Sequence, residues 1–184
     1  MKAFLVSLLA TAMLLGIPAA GIAEEKTCRG TIRSKTLDNV RVPSGASCTL
    51  NAVQVKGTIK VERNARLEAI HVRVIGNVQA ENARNVIVRA GSKIGGSIQI
   101  VQGGKALVKW TTVKGDVLFD DQRGQLKARR NVIGGNLQAF QNSNGIVIKR
   151  NRIDGNLQCK ENRPPPRGGN NKVGGNKEDQ CSKL

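Results

Sequence analysis

From Val40 to the C-terminus, apolar and polar residues alternate in short bursts that return at a constant interval. The clearest copies are Ile133-Gly134-Gly135-Asn136-Leu137-Gln138 and Ile153-Asp154-Gly155-Asn156-Leu157-Gln158. Weaker ones begin at Val55, Val74, Ile94, Val113 and Val173. A glycine marks every copy: Gly57, Gly76, Gly96, Gly115, Gly135, Gly155 and Gly175, separated by 19, 20, 19, 20, 20 and 20 residues. An interval that regular is the mark of a solenoid, in which each repeat stacks on the last.

Within a repeat the period is two. Counted from the glycine, position −2 is Val55, Val74, Ile94, Val113, Ile133, Ile153 and Val173. Position +2 is Ile59, Val78, Ile98, Val117, Leu137 and Leu157, and position +4 is Val61, Ala80, Ile100, Phe119, Ala139 and Cys159. Between them, position +1 is Thr58, Asn77, Ser97, Asp116, Asn136, Asn156 and Asn176, and position +3 carries Gln79, Gln99, Gln138 and Gln158. Strict alternation of this kind makes a half-buried strand, apolar side inward. A second apolar burst follows about ten residues after each glycine, as in Val86-Ile87-Val88 and Ile146-Val147-Ile148, and helical periodicity is absent. Two or three short strands per repeat predict an all-β, single-stranded parallel β-helix of about 7–8 coils, with strands about 4.8 Å apart and a column about 35 Å long. The marker glycine is expected to face inward at a bend or close backbone approach. The Asn and Gln rows are expected to hydrogen-bond along the column.

The flanks differ from the repeats. Lys2, the apolar run Ala3 to Ile17, Pro18 and the small residues Gly21-Ile22-Ala23 predict a cleavable signal peptide over residues 1–23, cut after Ala23. No later segment is apolar for long enough to span a membrane, so a secreted or periplasmic protein is expected. Residues 24–52 read as an N-terminal cap and first coil, 53–163 as the regular coils, and 164–184 as a Pro/Gly-rich loop and C-terminal cap. In this last segment Pro164 to Asn171 reads as a loop that replaces a strand.

The four cysteines fit the coil length. Cys28 and Cys48 are 20 residues apart, and Cys159 and Cys181 are 22 apart, each about one coil. Neighbouring coils lie within disulfide reach, whereas a bridge between the two ends would cross about 30 Å. The spacing predicts Cys28–Cys48 and Cys159–Cys181, stapling the two ends. With no CxxC and His71 as the only histidine, neither a metal site nor a cofactor is expected.

Charge changes the picture most. The chain carries 30 Lys and Arg against 13 Asp and Glu, and loss of the signal peptide removes one Lys and no acid, leaving +16. Cations recur at similar offsets from the marker glycine. Eight or nine residues after it stand Arg66, Arg84, Lys105, Arg123 and Arg163. Twelve to fifteen after it stand Arg89, Lys109, Lys127, Arg129, Arg130, Lys149, Arg150 and Arg167, and three before it Arg73, Lys93, Arg152 and Lys172. Stacked coils would turn such offsets into cationic rows that hold an anionic polysaccharide, lipopolysaccharide or nucleic acid. Aromatic residues make up only 2% of the chain, which argues against base stacking on a single strand. Trp110 reads as packing or a surface patch, and the lone His71 has no nucleophile or acid motif beside it.

The 20-residue coil, the inward aliphatic rows and the Asn rows from Val40 to about Cys181 resemble the right-handed pectin-lyase-like β-helix superfold. That resemblance implies polysaccharide lyase or hydrolase activity as an alternative, for which Asp116, Asp120, Asp121 and Asp154 are the candidate carboxylates. The coils are short and uniform, without the long excursions that wall a substrate groove in such enzymes. Uniform coils are also similar to bactofilins, which implies end-to-end self-association into a structural polymer. The signal peptide and terminal disulfides depart from that cytosolic family. The expectation carried forward is a non-catalytic exported solenoid that binds a polyanion through its basic rows.

Overall fold

The computed structural model describes residues 24–184. The expected signal peptide, residues 1–23, lies outside them. The described chain is all-β, and its strands stack as a parallel solenoid with a repeat of about 20 residues. Each full coil contributes one strand to each of three parallel sheets. In one coil these are Val78–Glu81 in the first sheet, Asn85–Arg89 in the second and Lys93–Ile94 in the third. The sheets contain nine, eight and eight strands, and each strand pairs with its counterparts one coil before and one coil after. Val78 thus faces Ile59 on one side and Ile98 on the other. No helix among the described residues is long and apolar enough to cross a membrane.

The predicted inward positions form the core. Positions +2 and +4 are buried from Ile59 to Cys159, as is position −2 from Val55 to Ile153, with Phe119 the largest fully buried side chain. With few aromatics available, the narrow column is filled by stacked Val, Ile, Leu and Ala.

Two corners of each coil are turned by a single non-glycine residue with positive φ. Asn82, Gln102, Asp121, Gln141 and Glu161 (φ 48° to 57°) lead from the first sheet into the second. His71, Ala90, Trp110, Arg130 and Arg150 (φ 51° to 61°) lead from the second into the third. A left-handed residue breaks the strand alternation. The following side chain therefore turns inward where period two would place it outside.

Of the two expected roles of the marker glycine, a bend or a close approach, the structure shows the close approach. None of the seven has a positive φ. What each one requires is space: a Cβ on Gly96, Gly135 or Gly175 would fall against the Oδ1 of Asn77, Asp116 or Asn156 in the coil below. The glycines are there because the position +1 side chain of the preceding coil passes so close to the backbone.

Both predicted disulfides are present, Cys28–Cys48 and Cys159–Cys181, with Cα atoms 5.5 and 5.3 Å apart. The Pro/Gly segment departs from the expectation. Arg167–Gly169 forms a strand that completes the second sheet against Val147–Lys149. The prolines occupy only the corner, and Gly168 sits where a Cβ would strike the Ile148 backbone, so lack of a side chain lets this strand join.

Candidate functional site

The second sheet carries the most continuous line of charge. Its register places Arg89, Lys109, Arg129 and Lys149 opposite one another on four successive coils, all outward, at about 4.8 Å intervals. Arg89 pairs with Glu68 at 2.9 Å. Lys109, Arg129 and Lys149 make no ion pair among the described residues. The corner beside this line adds exposed Arg130 and Arg150. Two residues earlier on the same outer face, Leu107, Lys127, Val147 and Arg167 are in register, so its two cations alternate with aliphatics.

The other predicted rows are interrupted. Arg66 and Lys105 share a line, but Asn85 stands between them. Arg84, Arg123 and Arg163 lie instead in the corner between the first and second sheets, where Arg123 N bonds Gly103 O and Arg163 N bonds Asn142 O. The offsets of eight and nine residues, which look alike in the sequence, fall on different lines. On the third sheet Arg73–Lys93 and Arg152–Lys172 are two separate pairs with Thr112 and Val132 between them.

The first sheet has a different character. Its outward positions mix Arg41, Lys60 and Lys160 with Glu81 and Asp120. Its glutamines do form a ladder: Gln79 donates to Gln99 at 3.4 Å, Gln138 to Gln158 at 2.9 Å, and Gln158 to Glu178 at 2.8 Å, with Leu118 interrupting. A groove of about 700 Å³ on this sheet is lined by Lys60, Glu62, Arg63, Gln79, Glu81 and Gln99. Hydrogen bonds from the Ser44 amide, and then from Arg41 and the Ser44 hydroxyl, hold the Glu62 carboxyl below its usual range. These bonds favour the ionised form of Glu62.

The four candidate carboxylates do not converge on one point. Asp116 belongs to the position +1 ladder, where its Oδ1 accepts from the Asn136 amide at 2.6 Å and from Asn136 Nδ2 at 3.2 Å. Asp154 pairs with Arg152 at 3.3 Å, two coils further along. Asp120 points out from the first sheet, and Asp121 occupies the adjacent left-handed corner at φ 48°, a conformation Asp tolerates. No group of three or more His, Cys, Asp or Glu side chains among the described residues could hold a metal ion.

Two further ladders occupy the positive-φ corners. In one, each Asn Oδ1 accepts from the backbone amide of the coil before: Asn131 for Thr111, Asn151 for Asn131 and Asn171 for Asn151, at 3.0–3.1 Å. In the other, Asn142 serves Gln122, Asn162 serves Asn142, and Gln180 serves Asn162. All but Gln180 are buried. Toward the N-terminus the same corners are filled by Val53, Val72, Ala65 and Ala83. The signal for these ladders was the recurrence of Asn at the seventh and sixteenth residues after the marker glycine.

No family model, curated protein or solved structure matches this chain. The resemblances to pectin-lyase-like enzymes and to bactofilins gain no support from these comparisons, and function must be argued from the surface.

Proposed function

We propose that the chain is an exported, non-catalytic solenoid that holds a polyanion along the cationic edge of its second sheet. The observation that carries this reading is the in-register line Arg89, Lys109, Arg129 and Lys149, reinforced by Arg130 and Arg150 at the corner. Cations fixed at about 4.8 Å on a rigid scaffold present a pre-ordered partner for repeated phosphate or carboxylate groups. The chemistry recognised is that repeat of anions, as found in acidic polysaccharide, lipopolysaccharide or nucleic acid. Export accords with two structural disulfides, which persist in oxidising compartments, and with residues 1–23 acting as a removable signal.

The test is binding of heparin, polyuronate and nucleic acid at two salt concentrations by residues 24–184 and by the variant Lys109→Ala/Arg129→Ala/Lys149→Ala. Loss of three contacts should lower the log–log salt slope by about 2 and weaken low-salt binding by at least about tenfold. The control Arg84→Ala/Arg123→Ala, from an interrupted line, should change binding much less. Salt-insensitive binding, or equal losses in both variants, would remove the reading. New reducing ends or unsaturated products during incubation with the polysaccharides would point to the enzyme alternative.

A further inference from the structure

The large hydrophobic side chains that stay exposed among the described residues are Ile75, Trp110 and Val132, at 54%, 49% and 44%. They could have fallen anywhere on the column, yet all three lie on the third sheet or its margins. Val132 is an outward residue of that sheet, and Trp110 sits at its entry corner one coil earlier. Ile75 follows Val74 at the exit of the third-sheet strand three coils before Val132. The three side chains thus span about 14 Å along the axis, with Trp110 and Val132 together toward the entry side and Ile75 at the exit side. Trp110 and Val132 border a shallow depression of about 550 Å³. Cations surround it: the Arg130 guanidinium lies 4.7 Å from the centre of the Trp110 ring, and Arg73, Lys93 and Arg152 stand in the same outward line as Val132.

Resting on the polyanion reading above, we infer that the third face, which shares the corner cation Arg130 with that edge, docks on an anionic lipid headgroup layer with Trp110, Val132 and Ile75 entering the apolar boundary. A half-exposed indole with a polar N–H suits the interface between headgroups and acyl chains, and arginine and lysine stems, Arg130 over the ring among them, reach from apolar contacts to phosphates. Isolated valine and isoleucine methyl groups have nothing to offer a sugar or phosphate backbone but gain by leaving water. A single-stranded nucleic acid fits less well, because Arg130 already covers one face of the only indole in the chain.

Trp110 is the sole tryptophan, so its emission reports on this patch alone. Residues 24–184, which contain every described strand and both disulfides, are mixed with vesicles of phosphatidylcholine alone or with phosphatidylglycerol added. Emission should move to shorter wavelength with the anionic vesicles only. Trp110→Ala and Val132→Asp alter exposed side chains and should leave the circular dichroism spectrum unchanged. Each should weaken vesicle co-sedimentation by about tenfold or more, on the scale of interfacial apolar contacts, while heparin binding stays within about twofold. Unshifted emission while the protein co-sediments overturns the inference, as does undiminished vesicle binding by Trp110→Ala. Quenching by single-stranded nucleic acid with no response to vesicles assigns the patch to base stacking and also overturns it. In each of those cases intact heparin binding leaves the polyanion reading standing; loss of heparin and vesicle binding together would bring down both.

Discussion

Asn151 allows the buried ladder to be tested with numbers. Its Oδ1 accepts from the Asn131 amide at 3.1 Å and from Asn131 Nδ2 at 3.0 Å, and its Nδ2 donates to Ala128 O at 2.9 Å and Asn171 Oδ1 at 3.0 Å. In Asn151→Ala, water cannot replace these partners, because the site is 2% exposed. The Asn131 amide is orphaned, which costs about 1–3 kcal/mol, and a small void adds about 1 kcal/mol. The expected loss is about 3 kcal/mol, or a fall in Tm of about 6–12 °C. Asn156 supplies the comparison. In the half-exposed position +1 ladder its Oδ1 accepts one bond, from the Asn176 amide at 2.8 Å, and water can take over. Asn156→Ala should cost about 1 kcal/mol or less. Urea and thermal unfolding of both variants under oxidising conditions, with hydrogen exchange at the Asn131 amide, make the measurement. Asn151→Val refills the volume without the acceptor and should recover only a minor part. A loss at Asn151 below about 1 kcal/mol, or no larger than at Asn156, refutes the argument.

Two further outcomes follow from the ends of the column. Replacing Cys159 and Cys181 together by Ser should cost on the order of 3 kcal/mol, and because coils touch only their neighbours, hydrogen exchange should quicken in 157–184 while Val40–Val61 stays protected. Equal quickening at both ends would contradict nearest-neighbour coupling. Glu62 is held below its ordinary range by the Ser44 amide and Arg41, so its contribution is complete above the unfolded glutamate value and is lost as pH falls through the lower folded one. Glu62→Gln should therefore lower stability at neutral pH, change little below the folded value, and so flatten the acid limb of a stability-against-pH profile; an unchanged acid limb would show that this carboxylate is not responsible.

Some of this molecule could be read from its residues and some could not, for reasons of geometry. Core positions such as Val78, Ile98 and Val117 were plain because burial selects residue type at period two. The disulfides were plain because the cysteine spacing matched the coil. The buried Asn ladders escaped notice because a left-handed residue precedes each member, as Arg130 precedes Asn131 and Gln141 precedes Asn142. Alternation alone places those side chains outside. The charge rows were only partly right. Coils of 19 and 20 residues offset one another, so Arg66 and Arg84 seem equivalent yet stand on different lines, and a slip of one residue changes which way a side chain points. Arg167–Gly169 is not legible in the sequence, because it carries no apolar alternation and directly follows three prolines, which break regular strand. The four candidate aspartates were reasonable by residue type, but one is a ladder member and another an ion-pair partner.

The buried corner asparagine gives on one side what it takes on the other. Its oxygen serves the coil before, and its own amide is served by the asparagine of the coil after. A unit that is its own complement can be copied. A duplicate of 131–150 placed after Arg150 would meet an Asn above and an Asn below and satisfy both, adding about 4.8 Å of column. It would also add another Lys149 to the basic line. Nothing in the middle of the column sets a stopping point; only the cysteine-stapled ends do. Tandem duplication thus gives the chain a simple route to a longer column, with charge and length growing together.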